Sequence, residues 1–268
     1  MKRKILILDS GIGGLNVLKQ LYLKLNFYNF IYFADIINLP YGNKTRKELL
    51  NITINNLSKL ICKYKPYFIV IGCNTIGSSI LEEIKKHFYQ IKIFAIKPNI
   101  NYVIKQLTIN KKQLKNQSQG ELLNGNLLVL TTAATKKAIA KKSEYILNKN
   151  NIVLCKMPSL ANKVENNIQN ISNIVPYLKR RLCKFKRIVG VVLGCTHYIY
   201  LKKQIKDMFI DSKVFDGSES LINEIKKSLS LKNIGKKQKP KLQVKFIYSF
   251  ARNKQVEKKY KMILNQII

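Results

Sequence analysis

Val191-Val192-Leu193-Gly194-Cys195-Thr196-His197-Tyr198 is the stretch from which the rest of the chain can be read. Its three consecutive aliphatic residues predict a buried strand, because the run is too short for an amphipathic helix. The glycine is expected to let the backbone turn sharply, which leaves Cys195 at the strand's carboxyl end. In open α/β sheets that end is where ligands bind. A hydroxyl and an imidazole follow the thiol directly. A lone cysteine would ordinarily be read as a small buried hydrophobe. Here the pattern occurs twice, since Phe68-Ile69-Val70-Ile71 runs into Gly72-Cys73-Asn74-Thr75. Two thiols facing each other across a cleft account for these shared flanks, whereas two packing cysteines do not.

At 268 residues, 46% of them hydrophobic, the chain is long enough for one large domain or two modest ones. No apolar run approaches the roughly 20 residues that span a bilayer. Ile5–Leu8 meets Asp9 at once, so the basic N-terminus does not form a signal peptide. A soluble cytoplasmic protein without membrane attachment is expected. The five cysteines (Cys62, Cys73, Cys155, Cys183 and Cys195) are odd in number and contain no CxxC pair. That fits a reducing compartment, with neither disulfides nor a zinc site. Cys62, Cys155 and Cys183 lack the Gly-Cys-polar-Thr flanks and are read as structural. His87 is read as a surface residue of an amphipathic helix.

Lys and Arg number 49 against 14 Asp and Glu, a net charge of +35. Such a charge ordinarily suggests nucleic acid. The lysines, however, are spread over every predicted helix, and Asn and Ile, which share AT-rich codons with Lys, are abundant too. The charge is therefore read as a solvated surface from a biased genome rather than a nucleic-acid site. Its field would still attract a small anionic substrate.

Strands are expected at Ile5–Leu8, Phe30–Phe33, Phe68–Ile71, Ile91–Ile96, Leu127–Leu130, Ile152–Leu154, Ile188–Leu193, Lys213–Phe215 and Val244–Ser249. Helices alternate with them: Leu15–Leu25, Thr45–Tyr64, Ser78–Phe88, Lys136–Asn148, Ile168–Phe185 (mostly helix), Tyr200–Phe209, Ser220–Leu229 and Lys254–Ile267. Alternating strands and helices predict an α/β fold with doubly wound, mainly parallel sheets. The duplicated cysteine device divides it into two pseudo-symmetric domains, 1–96 plus 210–268 and 97–209, with the active site in the cleft between them. Residues 110–126 read as a polar surface insertion and Gly235–Pro240 as a lysine-rich linker. Asp9-Ser10-Gly11-Ile12-Gly13-Gly14 forms a glycine-rich turn into a helix but lacks the dinucleotide fingerprint.

One His and two distant Cys are too few ligands for a metal. A cysteine-protease arrangement leaves Cys73-Asn74-Thr75 unexplained. Two thiols on opposite faces of a carbon suit a 1,1-proton transfer: a thiolate removes a proton and a thiol returns one to the far face. An unperturbed thiol titrates near 8.5, close to working pH. Asp9 and His197 are the ionisable neighbours able to tune or relay those protons. Ser10, Thr75, Thr131, Thr135 and Thr196 offer hydroxyls and amides to a carboxylate substrate.

DSGIGG (9–14), PYG (40–42), GCNT (72–75), AIKP (95–98) and LGCTHY (193–198) together resemble the bacterial glutamate racemases, in the family's order and near its spacing. The resemblance implies cofactor-independent interconversion of L- and D-glutamate, supplying D-glutamate for peptidoglycan and cell-wall synthesis, without a metal. It makes Cys73 and Cys195 the acid/base pair, supported by Asp9 and His197. It places Asp9, Ser10, Tyr41, Gly42, Asn74, Thr75, Thr196 and His197 at the substrate, with Thr131 and Thr135 as looser matches. His197 favours glutamate over the similar aspartate racemases. Glu165 is a candidate for the family's acidic residue in the second half but does not align securely. The rival readings are an aspartate or other amino-acid racemase and, in another class, a basic nucleic-acid-binding module. Oligomeric state is left open, a homodimer included.

Overall fold

The computed structural model describes residues 3–25, 28–112, 125–149, 151–230, 243–249 and 254–267. The chain opens with β1 (Lys4–Asp9), α1 (Leu15–Lys24), β2 (Asn29–Ala34), α2 (Arg46–Tyr64), β3 (Phe68–Ile71), α3 (Asn74–Ser79), α4 (Leu81–His87) and β4 (Ile93–Ala95). It continues with α5 (Ile100–Lys112), β5 (Asn126–Thr131), α6 (Ala133–Lys149), β6 (Ile152–Lys156), α7 (Leu160–Asn166), α8 (Val175–Leu182), β7 (Ile188–Gly194), α9 (Lys202–Met208) and β8 (Lys213–Phe215). It closes with α10 (Ser218–Ser228), β9 (Val244–Tyr248) and α11 (Lys254–Ile267). These elements make an α/β fold with two parallel sheets.

The chain divides into two units, 1–97 with 218–268, and 98–217. The first holds a five-stranded sheet in the order β4-β3-β1-β2-β9, with every described pairing parallel. Ile5, Leu6, Ile7 and Leu8 of its central strand are fully buried, as a strand covered on both faces must be. The second holds a four-stranded parallel sheet ordered β6-β5-β7-β8. β4-β3-β1-β2 and β8-β7-β5-β6 are one winding used twice. In each, the chain leaves a central strand to one side and returns on the other, so β1/β3 and β5/β7 are the switch points. Crevices at the carboxyl ends of such strands are where open α/β sheets take ligands.

The return to the first unit comes after Gly217 and not after 209, because β8 pairs with β7 in the second sheet. The helix expected at 78–88 is two helices. α3 starts directly after Cys73, and Ile80 breaks it from α4. Two helices were passed over in the sequence. α5 buries Ile100, Val103, Ile104 and Leu107 against Leu127, Val129 and Val192; its i, i+3, i+4, i+7 spacing was there to be read. α7 is only seven residues long. The segment expected to be mostly helix over 168–185 is a 3₁₀ turn, Ile171–Ile174, followed by α8. The polar insertion starts later than expected, since α5 runs to Lys112; residues 113–124 and the Gly235–Pro240 linker lie outside the described residues. α2 begins where a capping box demands it: Thr45 Oγ1 accepts from the Glu48 amide, and Glu48 accepts from the Thr45 amide.

Candidate active site

In the first unit the residues singled out in the sequence gather at the ends of β1 and β3. Leu8 and Ile71 are register partners, and the Gly72 amide donates to the Leu8 carbonyl at 2.7 Å. This sets Asp9 and Cys73 at the β1/β3 switch point. Asp9 is fully buried, and its Oδ2 accepts the Gly14 amide at 2.6 Å, closing the turn that contains the buried Ser10. Tyr32, on β2, donates its hydroxyl to the Gly11 carbonyl at 2.6 Å. Gly14 is required by close approach: a Cβ there would lie 2.7 Å from Tyr32 Oη and 2.8 Å from Asp9 Cβ.

Tyr41 and Gly42 sit in a buried 3₁₀ turn. The turn is anchored on Asp35, whose buried carboxylate accepts from the Tyr41 hydroxyl at 2.6 Å, from Asn38 Nδ2 and from Asn56 Nδ2 of α2. Burial pushes the Tyr41 phenol well above its usual range, and the negative charge of Asp35 adds to this, with Cys73 and Asp9 contributing in the same sense. Tyr41 therefore stays neutral, its proton committed to Asp35. Cys73 precedes α3, and its carbonyl accepts the Gly77 amide at 3.0 Å. Asn74 and Thr75 are the buried first residues of that helix. Asn74 Oδ1 has no hydrogen-bond partner among the described residues, a state that costs about 1–3 kcal/mol if nothing else meets it.

In the second unit Thr131 ends β5 opposite Gly194 on β7, and Cys195 follows. Asp9 beside Cys73 and Thr131 beside Cys195 thus occupy corresponding strand ends. The Cys195 carbonyl accepts the Tyr198 amide at 3.0 Å, starting a 3₁₀ turn over Thr196–Leu201. The glycines before the two cysteines do not act by bending the chain, since no described glycine has positive φ. Gly194 is the last residue of β7, and a Cβ on it would fall 2.6 Å from the Leu130 carbonyl. What a glycine allows there is close pairing of β5 and β7.

Cys195 Sγ lies 3.8 Å from His197 Nδ1, and His197 Nε2 lies 2.9 Å from Glu165 Oε2. All three residues are buried. Burial disfavours the imidazolium, but the hydrogen bonds to Cys195 and Glu165 and their negative charges outweigh it, so the His197 pKa is held well above 6.5. Glu165 comes from α7. The segment leading into that helix is held by its carbonyls: Arg181 Nη2 bonds Lys156 O at 2.7 Å, Tyr177 Oη bonds Pro158 O at 2.6 Å and Tyr198 Oη bonds Met157 O at 3.4 Å. Thr131 spends its hydroxyl on the Cys155 carbonyl at 3.3 Å. Thr132, accepting the Thr135 amide and donating to Thr135 Oγ1, opens α6.

Asp9, Ser10, Tyr41, Gly42, Cys73, Asn74 and Thr75 are thus placed at one strand-end region of the first unit, and Thr131, Thr135, Cys195, Thr196 and His197 at one of the second. Tyr32, Asp35, Asn38 and Asn56 were missed in the sequence. No residue-type pattern marks them, and only the fold brings each to the turn it holds. Cys62 and Cys183 are exposed and Cys155 is buried; His87 is exposed. Among the described residues no group of three or more His, Cys, Asp or Glu side chains could hold a metal ion, and no helix is long and apolar enough to cross a membrane.

No protein-family model matches the sequence. Individual relatives do. The chain is 32% identical over 252 residues to a glutamate racemase of Campylobacter concisus, covering 92% of this chain and 89% of the relative. It is 30% identical over 236 residues to a glutamate racemase of Clostridium acetobutylicum, covering 85% and 86%. The crystal structure of Francisella tularensis glutamate racemase in complex with D-glutamate shares the fold, with a TM-score of 0.73 at 24% identity over 98% of this chain and 94% of that one. Identity at this level, sustained from end to end and joined to the same two-domain fold, is common descent: the chain belongs to the glutamate racemase family.

Proposed function

We propose that this protein interconverts L- and D-glutamate without a cofactor, using Cys73 and Cys195 as the two acid/base groups. The observation that carries the reading is the duplicated placement: in each sheet a cysteine follows the strand that lies across the switch point from the one the winding starts on, β3 beside β1 and β7 beside β5. One thiolate takes the α-proton, the electron pair spreads into the carboxylate of a planar intermediate, and the other thiol gives a proton to the opposite face. Each turnover leaves the thiol and thiolate exchanged, so the enzyme is ready for the reverse enantiomer. His197, held protonated by Glu165, stabilises the thiolate of Cys195; Asp9 attends Cys73. In this reading the buried Asn74 Oδ1 accepts from the substrate's ammonium group. Ser10, Thr75 and Thr196 hold its carboxylates with the backbone of Tyr41-Gly42, and Thr135 lies further out. The basic surface serves only to draw in an anionic substrate, and the product is D-glutamate for peptidoglycan in the cytoplasm.

The test is deuterium uptake at the α-carbon of each glutamate enantiomer in heavy water. Wild type should exchange and racemise both. Cys73→Ala and Cys195→Ala should each lose racemisation by on the order of 10³-fold or more, the range for removing a general acid or base, while keeping the wild-type far-UV spectrum. Near-normal racemisation by either variant would overturn the two-thiol mechanism.

A further inference from the structure

We propose that Tyr32 is a positioning residue for racemisation: its hydroxyl, bonded to the Gly11 carbonyl, sets the backbone of the turn that presents Asp9 and Ser10. The proposal rests on the reading above, in which that turn meets the substrate. Tyr32 lies on β2 with Ile7 of β1 as its register partner, and it is wholly buried. A phenylalanine would fill the same space without burying a hydroxyl, so the oxygen needs a reason to be there. Its reason is the 2.6 Å bond to Gly11 O.

Side chains hold the turn near both of its ends. Asp9 Oδ2 holds the Gly14 amide at one, and Tyr32 holds the Gly11 carbonyl at the other. Tyr32 Oη also occupies the space beside Gly14 Cα that a side chain would need. Because the peptide group is planar and trans, aiming the Gly11 carbonyl at Tyr32 turns the Ile12 N–H the opposite way. The two hydrogen bonds therefore constrain the path of the backbone between Asp9 and Gly14, with Ser10 inside it, alongside the Asp35 amide on the Asp9 carbonyl and the Leu15 amide on the Ile12 carbonyl. The ring packs against Phe246 of β9 (centroids 5.9 Å apart) and Tyr260 of α11 (6.3 Å), while the hydroxyl is placed by its bond to Gly11.

Tyr32→Phe, Phe246→Leu and Ser10→Ala separate positioning from packing. Steady-state kinetics with D-glutamate and thermal melting are measured on each purified full-length variant. Tyr32→Phe keeps the ring and is expected to lower kcat/KM about tenfold, the size of one lost net hydrogen bond. Phe246→Leu keeps the hydroxyl and is expected to lower Tm at least as much, with kcat and KM within about twofold of wild type. Unchanged kcat/KM in Tyr32→Phe overturns the proposal, as does an equal kinetic loss in Phe246→Leu. Ser10→Ala tests the reading beneath: if it alone leaves kcat/KM at the wild-type value, the turn does not meet substrate and that reading fails. If Ser10→Ala loses activity and Tyr32→Phe does not, only the role of Tyr32 falls.

Discussion

Replacing Glu165 by Gln removes one negative charge 2.9 Å from His197 Nε2 while keeping the length of the side chain and an oxygen able to accept. The bond changes from charge-assisted, worth about 1.5–3 kcal/mol, to neutral, worth about 0.5–1.5, so about 1–1.5 kcal/mol of preference for the imidazolium disappears. The His197 pKa should therefore fall back toward its ordinary value, because a neutral amide favours the charged ring less than a carboxylate does. The sign of the stability change follows from linkage. A histidine whose folded pKa is raised contributes stability that is fully present below its unfolded value near 6.5 and is lost as pH rises through the folded value. Glu165→Gln should therefore lower Tm most near pH 6, with the gap to wild type closing as pH climbs past the raised wild-type value. The chain has two histidines, and His87 is exposed, so imidazole C2 proton resonances can follow His197 directly. Racemisation should weaken at the pH where the variant's imidazole has lost its proton and the wild type's has not. An unshifted His197 titration in Glu165→Gln would refute the proposed coupling of Glu165, His197 and Cys195.

Because the two enantiomers have equal free energy in water, any variant must lose kcat/KM equally in both directions, so the role of each thiol has to be read from isotope effects. With α-deuterated glutamate, Cys73→Ser should enlarge the primary effect for one enantiomer and Cys195→Ser for the other; enlargement for the same enantiomer in both would sink the one-face-each assignment. Gly194→Ala forces a methyl to within 2.6 Å of the Leu130 carbonyl and should destabilise the protein by about 1–3 kcal/mol, the usual cost of overpacking. Chemical denaturation would show it, and an unchanged midpoint would mean β5 and β7 separate freely. Tyr41 and Tyr198 both have pKa values raised well above 10, chiefly by burial. Their stabilising contribution is complete below pH 10 and declines as pH rises beyond it, so alkaline unfolding should begin there, and Tyr41→Phe should blunt it.

The sequence by itself determined the α/β class, the alternation of strands with helices and the strand-end positions of the two Gly-Cys motifs. These are local properties: apolar runs as short as Phe68–Ile71, closed by a glycine, read as buried strands, and Gly-Cys-polar-Thr flanks are recognisable wherever they occur. The limits of short elements were less legible, and α5 and α7 went unread although α5 carries a regular apolar spacing. Tertiary structure alone decided who holds the site residues in place. Glu165 reaches His197 across 32 positions, Tyr32 reaches Gly11 across 21, and Asn56 reaches Asp35 across 21. It also decided why glycine precedes Cys195: not to bend the chain, but to leave room for a carbonyl of the neighbouring strand. Such partners are chosen by strand order and packing distance, and a hydrogen bond acts over about 3 Å of space irrespective of how much chain lies between its ends.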